Sequence, residues 1–268
     1  MHTAKIAIHR AARLHFHHED LEALEIFGRI LNDLRQNGQI ASSEFPYFNE
    51  GDYVCCMVSV FDEHAFHPAH FNLYLKSYIE PLPQDWVKFE IVGRDEAGCM
   101  VGSLAAEDAL VLYTQAYYVE SPIRGLNSFQ PIPLYQLPKT DERNQSYLNL
   151  IQWQSDYQAC DKLQFNCTVG EWFALSQMAE LDSELTQAGL AICHTLQERI
   201  GKPVYYFLFH YYSHDFDHEE QRRCPACGGE WKLEQTLHQR FDFQCHHCRL
   251  LSNLAYYPIT ELLGYAAP

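Results

Sequence analysis

The sequence predicts an α+β protein in which helices pack on a small mixed sheet, followed by a C-terminal four-cysteine zinc ribbon built from β-hairpin knuckles. Two observations predict this class. Apolar runs of strand length alternate with stretches of helical periodicity in the first half of the chain. In addition, four of the ten cysteines form two C-x-x-C pairs late in the sequence.

The first 120 residues are predicted to be rich in strands. Four runs have the length and composition of strands, at residues 5–10, 53–61, 86–92 and 109–118. Two helices are expected among them, one ending near Asn37-Gly38 and one opening at Pro68. Apolar side chains at helical spacing mark both helices, namely Leu21, Leu24, Phe27, Leu31 and Leu34, then Phe71, Tyr74, Leu75 and Tyr78.

A proline-rich connector is predicted at residues 121–140, because its four prolines each remove a backbone donor. Beyond it the periodicity is helical over 141–202, with helices at 143–164 and 171–200. A strand at 203–212 is expected to rejoin the sheet. These segments form a body of residues 1–220, followed by the ribbon at 221–254 and a C-terminal tail, 255–268, that packs back.

The composition indicates a folded chain of unevenly distributed charge. Hydrophobic residues make up 47% of the 268 positions, which is ample for a packed core. The net charge is −16, but residues 1–220 carry −17 and the ribbon +2. No apolar run could span a membrane and the N-terminal residues do not resemble a secretory signal, so we expect a cytoplasmic protein without membrane contact.

Cys224, Cys227, Cys245 and Cys248 are predicted to bind one structural Zn²⁺. The two C-x-x-C pairs are separated by 17 residues, within the range of zinc ribbons, and the segment between them alternates as a hairpin should. Four protein ligands leave no position open for water, which argues against catalytic zinc. Iron in the same site, or a redox dithiol, is the alternative, and His246 and His247 are expected to be exposed rather than ligands.

Basic and aromatic side chains are interleaved along the ribbon, the combination that phosphate contact and base stacking require. The basic residues are Arg222, Arg223, Lys232, Arg240 and Arg249, and the rings are Trp231, Phe241 and Phe243. The alternative is that the rings are buried beneath the knuckles.

Other clusters are weaker candidates. Histidines recur at 64, 67 and 70 and at 210, 214 and 218, but neither run has a diagnostic metal-binding form. Cys55 and Cys56 lie in the most apolar strand, where thiols are usually inert. No familiar catalytic motif is present, and no catalytic residue is assigned.

Three stretches of the chain resemble an uncharacterised bacterial family. They are W153-Q-S-D-Y-Q-A-C-D161, the connector E-S-P-I-R with P-I-P-L-Y-Q-L-P, and F-D-F-Q-C-x-x-C-R-L-x-S-N. The family is described as zinc-ribbon-containing proteins with a suggested nucleic-acid-binding role. The resemblance therefore implies zinc at the four cysteines and nucleic acid as a partner.

Three hypotheses for function follow. The first is a non-enzymatic protein that binds nucleic acid, or a complex associated with it, through the ribbon. The second is a module whose acidic body captures a basic protein, such as a nuclease or toxin. The third is an enzyme with a pocket between the sheet and helices 143–200, using Asp156, Tyr157, Asp161 or the histidines.

Overall fold

The computed structural model describes residues 1–141 and 146–258, which divide into two compact units. The first contains residues 1–106, 119–121 and 130–149, and the second contains 107–118, 122–129 and the chain from residue 150 onward. Helices and mixed sheets confirm the predicted α+β class. Among the described residues, no helix combines the length and the apolar character needed to cross a membrane.

The first unit is built on a four-stranded antiparallel sheet of order β4-β5-β1-β6. Its strands are β1 (His2–His9), β4 (Tyr47–Glu50), β5 (Tyr53–Val60) and β6 (Val87–Arg94), and a separate hairpin joins β2 (Arg13–Phe16) to β3 (Glu19–Glu22). Two helices accompany the sheet, α1 (Ala23–Gln36) and α2 (Leu73–Ile79). One face of α1, with Ile26, Phe27 and Ile30, is fully buried in the same core as Ile6 and Ile8 of β1.

Local hydrogen bonds decide where these helices begin. Leu21 was expected to belong to the apolar stripe of α1, but Glu19–Glu22 pairs with β2 as a strand. The backbone N–H of Glu22 then donates to the Glu25 carboxylate at 3.0 Å, which caps the helix. Pro68 opens only a 3₁₀ turn, and α2 begins after Asn72, whose side chain accepts from the Leu75 N–H at 2.8 Å.

The second unit contains a six-stranded mixed sheet of order β11-β12-β13-β9-β7-β8. The strands are β7 (Leu110–Leu112), β8 (Ile123–Gly125), β9 (Val204–Phe207), β11 (Lys232–Leu237), β12 (Phe241–Cys245) and β13 (Leu250–Ser252). The central strand β9 runs parallel to both β7 and β13, and the other pairs are antiparallel. Strands from both sides of the boundary predicted at residue 220 belong to this sheet: β7, β8 and β9 precede it, and the ribbon strands β11, β12 and β13 follow it.

Three helices belong to this unit from residue 150 onward, α3 (Leu148–Asn166), α4 (Glu171–Ala179) and α5 (Glu184–Ile200). The single helix predicted at 171–200 is therefore two. Ser183 separates them, since its hydroxyl accepts from the Thr186 N–H at 3.1 Å and caps α5. Close packing of α5 on β9 depends on Gly189, where a Cβ atom would lie 2.2 Å from the Tyr206 ring.

Two predicted strands are shorter than expected. The run 109–118 forms only β7, because its later residues are a loop held by side chains of α3: the Gln158 amide donates to the carbonyl of Gln115 at 3.2 Å, and Asp161 accepts from the Ala116 N–H. The run 203–212 forms β9 and a two-residue strand, β10 (Tyr212–Ser213). Within the predicted tail, β14 (Tyr257–Pro258) pairs parallel to β10, and residues 259–268 lie outside the described residues.

Candidate metal centre

The four cysteines of the ribbon meet at one point. Their sulfur atoms all lie within 4.8 Å of one another, and the Cys227 and Cys245 sulfurs are 3.7 Å apart. Four thiolates about 2.3 Å from a tetrahedral zinc would be separated by about 3.8 Å. The sulfur positions therefore fit a metal ion, whereas 3.7 Å is far longer than a disulfide bond.

Each C-x-x-C pair sits on a tight turn whose following residue is left-handed. In the first knuckle the Gly228 N–H donates to the Cys224 carbonyl at 2.8 Å, and Gly228 has φ +70°. In the second, the Cys248 N–H donates to the Cys245 sulfur at 3.3 Å, and Arg249 takes φ 57°. The two turns are thus alike in conformation, although only the first carries the glycine that this conformation favours.

The environment favours ionised sulfur at Cys227, whereas burial raises the pKa of the Cys224 and Cys248 thiols. Cys224 and Cys245 are buried, Cys248 is half-buried and Cys227 is exposed. A hydrogen bond from the backbone of Gly229 lowers the pKa of the Cys227 thiol to about 7. Soft thiolate donors in this number suit zinc or iron, and they leave no open coordination position.

The aromatic rings of the ribbon are buried. Trp231 is 3% exposed, and Phe241 and Phe243 are fully buried. The indole N–H of Trp231 donates to the Arg222 carbonyl at 2.7 Å, and its ring lies 5.1 Å from that of Phe243. Phe241 instead packs on Tyr113 and Phe207, with ring centroids 5.8 and 5.4 Å away. None of the three rings provides a free surface for base stacking.

Two of the five basic residues predicted to contact nucleic acid, Arg222 and Arg240, instead make contacts inside the second unit. Arg222 forms an ion pair with buried Glu219 at 2.9 Å and lies over the Trp231 and Phe243 rings. Arg240 donates to the hydroxyls of Tyr113 and Tyr118 at 3.1 and 3.3 Å. Since their guanidinium groups already have partners within the unit, these two arginines help to hold it together.

The other three basic residues lie at the surface. Arg223 forms an exposed ion pair with Glu230 at 2.8 Å, and the Lys232 side chain is also exposed. Arg249 is half-buried, with one guanidinium nitrogen 3.4 Å from the Tyr205 hydroxyl. His246 and His247 are exposed, and Nδ1 of His246 is 2.7 Å from the same hydroxyl.

The sequence did not indicate the buried charged group beside the ribbon. Burial opposes ionisation of Glu219, but the polar side chains of His210 and Ser213 and the charge of Arg222 outweigh it and hold its pKa at about 2. The spacing of Glu219 and Arg222 is an ordinary i, i+3 pair. Nothing in that spacing distinguishes it from a solvated surface pair.

The remaining candidates are dispersed. Within residues 1–141 and 146–258, the four cysteines are the one group of three or more Cys, His, Asp or Glu ligand atoms that lie this close together. Cys55 and Cys56 are buried, and burial raises the pKa of Cys56 to about 11. Asp156 is exposed, whereas Tyr157 and Asp161 line a cavity in the second unit.

Comparisons with known proteins place this chain among relatives of undetermined activity. Residues 105–209 match a family described as a domain of unknown function (DUF2310), and residues 214–257 match a second (DUF8594). One uncharacterized protein of Haemophilus influenzae is 31% identical over 86% of this chain and 90% of its own length. Another from the same organism is 35% identical over 63% of this chain and 82% of its own length. No solved structure matches the chain.

Proposed function

The chain belongs to the same family as these Haemophilus influenzae proteins, and on that premise we propose that it is a zinc-ribbon protein that contacts nucleic acid through its ribbon. The convergence of four sulfur atoms within 4.8 Å supports the metal part of this proposal. A zinc ion there would supply folding energy, on the order of 10–16 kcal/mol in small zinc-binding peptides, and no catalysis.

Elemental analysis of protein purified without metal-affinity resin tests the metal. We expect one zinc per chain and no stoichiometric iron. One iron per chain, with the visible absorption of a four-thiolate iron site, would replace zinc in the proposal, and protein folded without either metal would remove the site altogether.

The distribution of charge supports the nucleic-acid part. The ribbon carries +2 before the four thiolates and one Zn²⁺ add −2, so the metal-loaded ribbon is near neutral, whereas the first 220 residues carry −17. A polyanion is therefore repelled least at the ribbon. Lys232 is exposed, and Arg223 is held only by an exposed ion pair with Glu230 that phosphate can replace, while the buried rings exclude stacking. The proposed contact is therefore to the backbone, with little sequence preference.

A pair of double variants tests this contact. Arg223→Glu with Lys232→Glu should weaken binding of a labelled single-stranded DNA oligomer and reduce the slope of log Kd against log salt by about 1.4, since each lost phosphate contact removes about 0.7. Arg10→Glu with Lys88→Glu makes the same change in charge at exposed positions of the first unit. Equal weakening in both pairs, or no binding by the unmodified protein, would contradict the proposal.

The charge of the body favours one competing function, capture of a basic protein. A pull-down from native cell extract separates the two. Partners lost after nuclease treatment support the nucleic-acid proposal, whereas a basic protein retained after that treatment supports the competitor.

A further inference from the structure

A cavity of about 330 Å³ opens in the second unit, beside α3 and the turn between β11 and β12. One wall is aromatic, with Tyr113, Phe207 and Phe209. Tyr113 and Phe207 pack with their ring centroids 5.1 Å apart, so this wall is a continuous apolar surface. A volume of this size accommodates a small metabolite rather than a polymer.

Three charged side chains line this cavity, Asp161, Asp242 and Arg240, and none of them forms an ion pair with another described residue. Asp161 of α3 accepts the Ala116 N–H at 2.6 Å, and no described residue forms an ion pair with it. Arg240 donates to two tyrosine hydroxyls, and it too has no carboxylate within ion-pair distance among the described residues. Asp242 accepts from the Thr236 hydroxyl at 2.7 Å and from the Leu254 N–H at 3.0 Å. All three charges therefore have only neutral partners, which is costly in a half-buried site.

One uncharged polar group of the lining, the Tyr157 hydroxyl, lacks a hydrogen-bond partner. Tyr157, one turn before Asp161 on α3, is only 3% exposed and lines the same cavity. Within the part of the chain that the structure describes, its hydroxyl makes no hydrogen bond. The hydroxyl is therefore available to a ligand or to water in the cavity.

We propose that this cavity binds a free α-amino acid with an apolar side chain. Its ammonium group would face Asp161 and Tyr157, its carboxylate would face Arg240, and its side chain would lie on Phe207 and Phe209. A phosphate or dicarboxylate would be repelled by Asp161 and Asp242, and a simple amine would leave Arg240 without a carboxylate partner. The site depends on the folded ribbon, which carries Arg240, but not on contact with nucleic acid.

Calorimetric titration of the metal-loaded full chain tests this site. The probes are L-leucine and L-phenylalanine, with the N-acetyl and the C-terminal amide derivative of each. We expect the free amino acids to bind and each blocked derivative to lose at least about tenfold, which corresponds to about 1.4 kcal/mol. Derivatives that bind as tightly as the free amino acids would overturn the proposal, as would the absence of binding across a panel of proteinogenic amino acids.

Substitutions identify the cavity as the location. Asp161→Asn keeps an oxygen to accept the Ala116 N–H and should lose at least about tenfold in affinity, as should Arg240→Gln. Asp156→Asn, at an exposed position of the same helix, is the matched control and should bind normally. Thermal melting verifies folding of each variant. Unchanged affinity in both folded cavity variants would overturn the proposal, and the blocked ligands on the unmodified chain decide it if those variants do not fold.

Discussion

Cys227 offers a direct test of the metal cluster at the scale of one residue, because it is the most exposed of the four cysteines. Replacing it with serine removes a thiolate, and we expect zinc to be lost on dialysis and the free energy of unfolding to fall by at least about 4 kcal/mol. Elemental analysis and urea denaturation measure both effects. Cys167→Ser is the matched control, since this exposed thiol lies outside the cluster, and it should change stability by less than about 0.5 kcal/mol.

Glu219 predicts a specific dependence of stability on pH. Its pKa falls from an ordinary 4.5 to about 2 in the folded chain, so its ionised form stabilises the fold above pH 4.5, and that stabilisation is lost as the pH falls toward 2. Glu219→Gln should therefore cost at most about 3 kcal/mol near neutral pH. The difference in the free energy of unfolding between the unmodified protein and Glu219→Gln should shrink as the pH falls from 4.5 toward 2. Urea denaturation of both proteins at each pH measures it. A difference that stayed constant would show that the charge of Glu219 does not matter.

Among the elements, α5 predicts an unusual response to alanine. In a helix alanine normally stabilises relative to glycine by about 1 kcal/mol. At Gly189, however, the new methyl group would lie 2.2 Å from the Tyr206 ring and 2.8 Å from the Trp153 indole nitrogen. Gly189→Ala should therefore destabilise the protein by about 2 kcal/mol, as thermal or urea melting would show.

Ala191 provides the comparison within the same helix, because its side chain is exposed. Ala191→Gly should show the ordinary preference, with a loss of about 1 kcal/mol. If Gly189→Ala instead stabilised the protein, α5 would not be packed against β9 as closely as described.

The elements that could be predicted from the sequence are those specified by neighbouring residues. Periodicity located α1 and β5, and the spacing of the cysteines indicated their cluster. The six-stranded sheet of the second unit was not predicted. In it Leu110 pairs with Val204 and Leu250 with Tyr206, and spacing along the chain carries no information about such distant partners. For the same reason, alternation in the hairpin could not show which face of Phe241 and Phe243 would be buried.

For the whole molecule, the six-stranded sheet predicts which regions lose protection when the metal is removed, because it contains both the ribbon strands and β7, β8 and β9. Strand β12 carries Cys245 and lies two strands from β9 in the second sheet, whereas no ribbon strand belongs to the first sheet. A strong chelator should therefore increase amide hydrogen exchange in β9 and β13 and leave β1 and β5 unchanged. Hydrogen exchange with mass spectrometry measures this. Equal loosening of both sheets would contradict it, and so would loosening confined to residues 221–254.

The parallel pairing of β9 with both β7 and β13 has a consequence for synthesis on the ribosome. β7 emerges first, but its partner β9 begins only at Val204 and β13 only at Leu250. At roughly 5–20 residues per second, a nascent chain spends several seconds with an open strand edge, which is liable to aggregate. Strand β13, which covers the edge of β9, directly follows the last cysteine, Cys248, so its pairing depends on a metal-loaded ribbon. In cells short of zinc, this protein should therefore accumulate in insoluble form while its first unit folds normally.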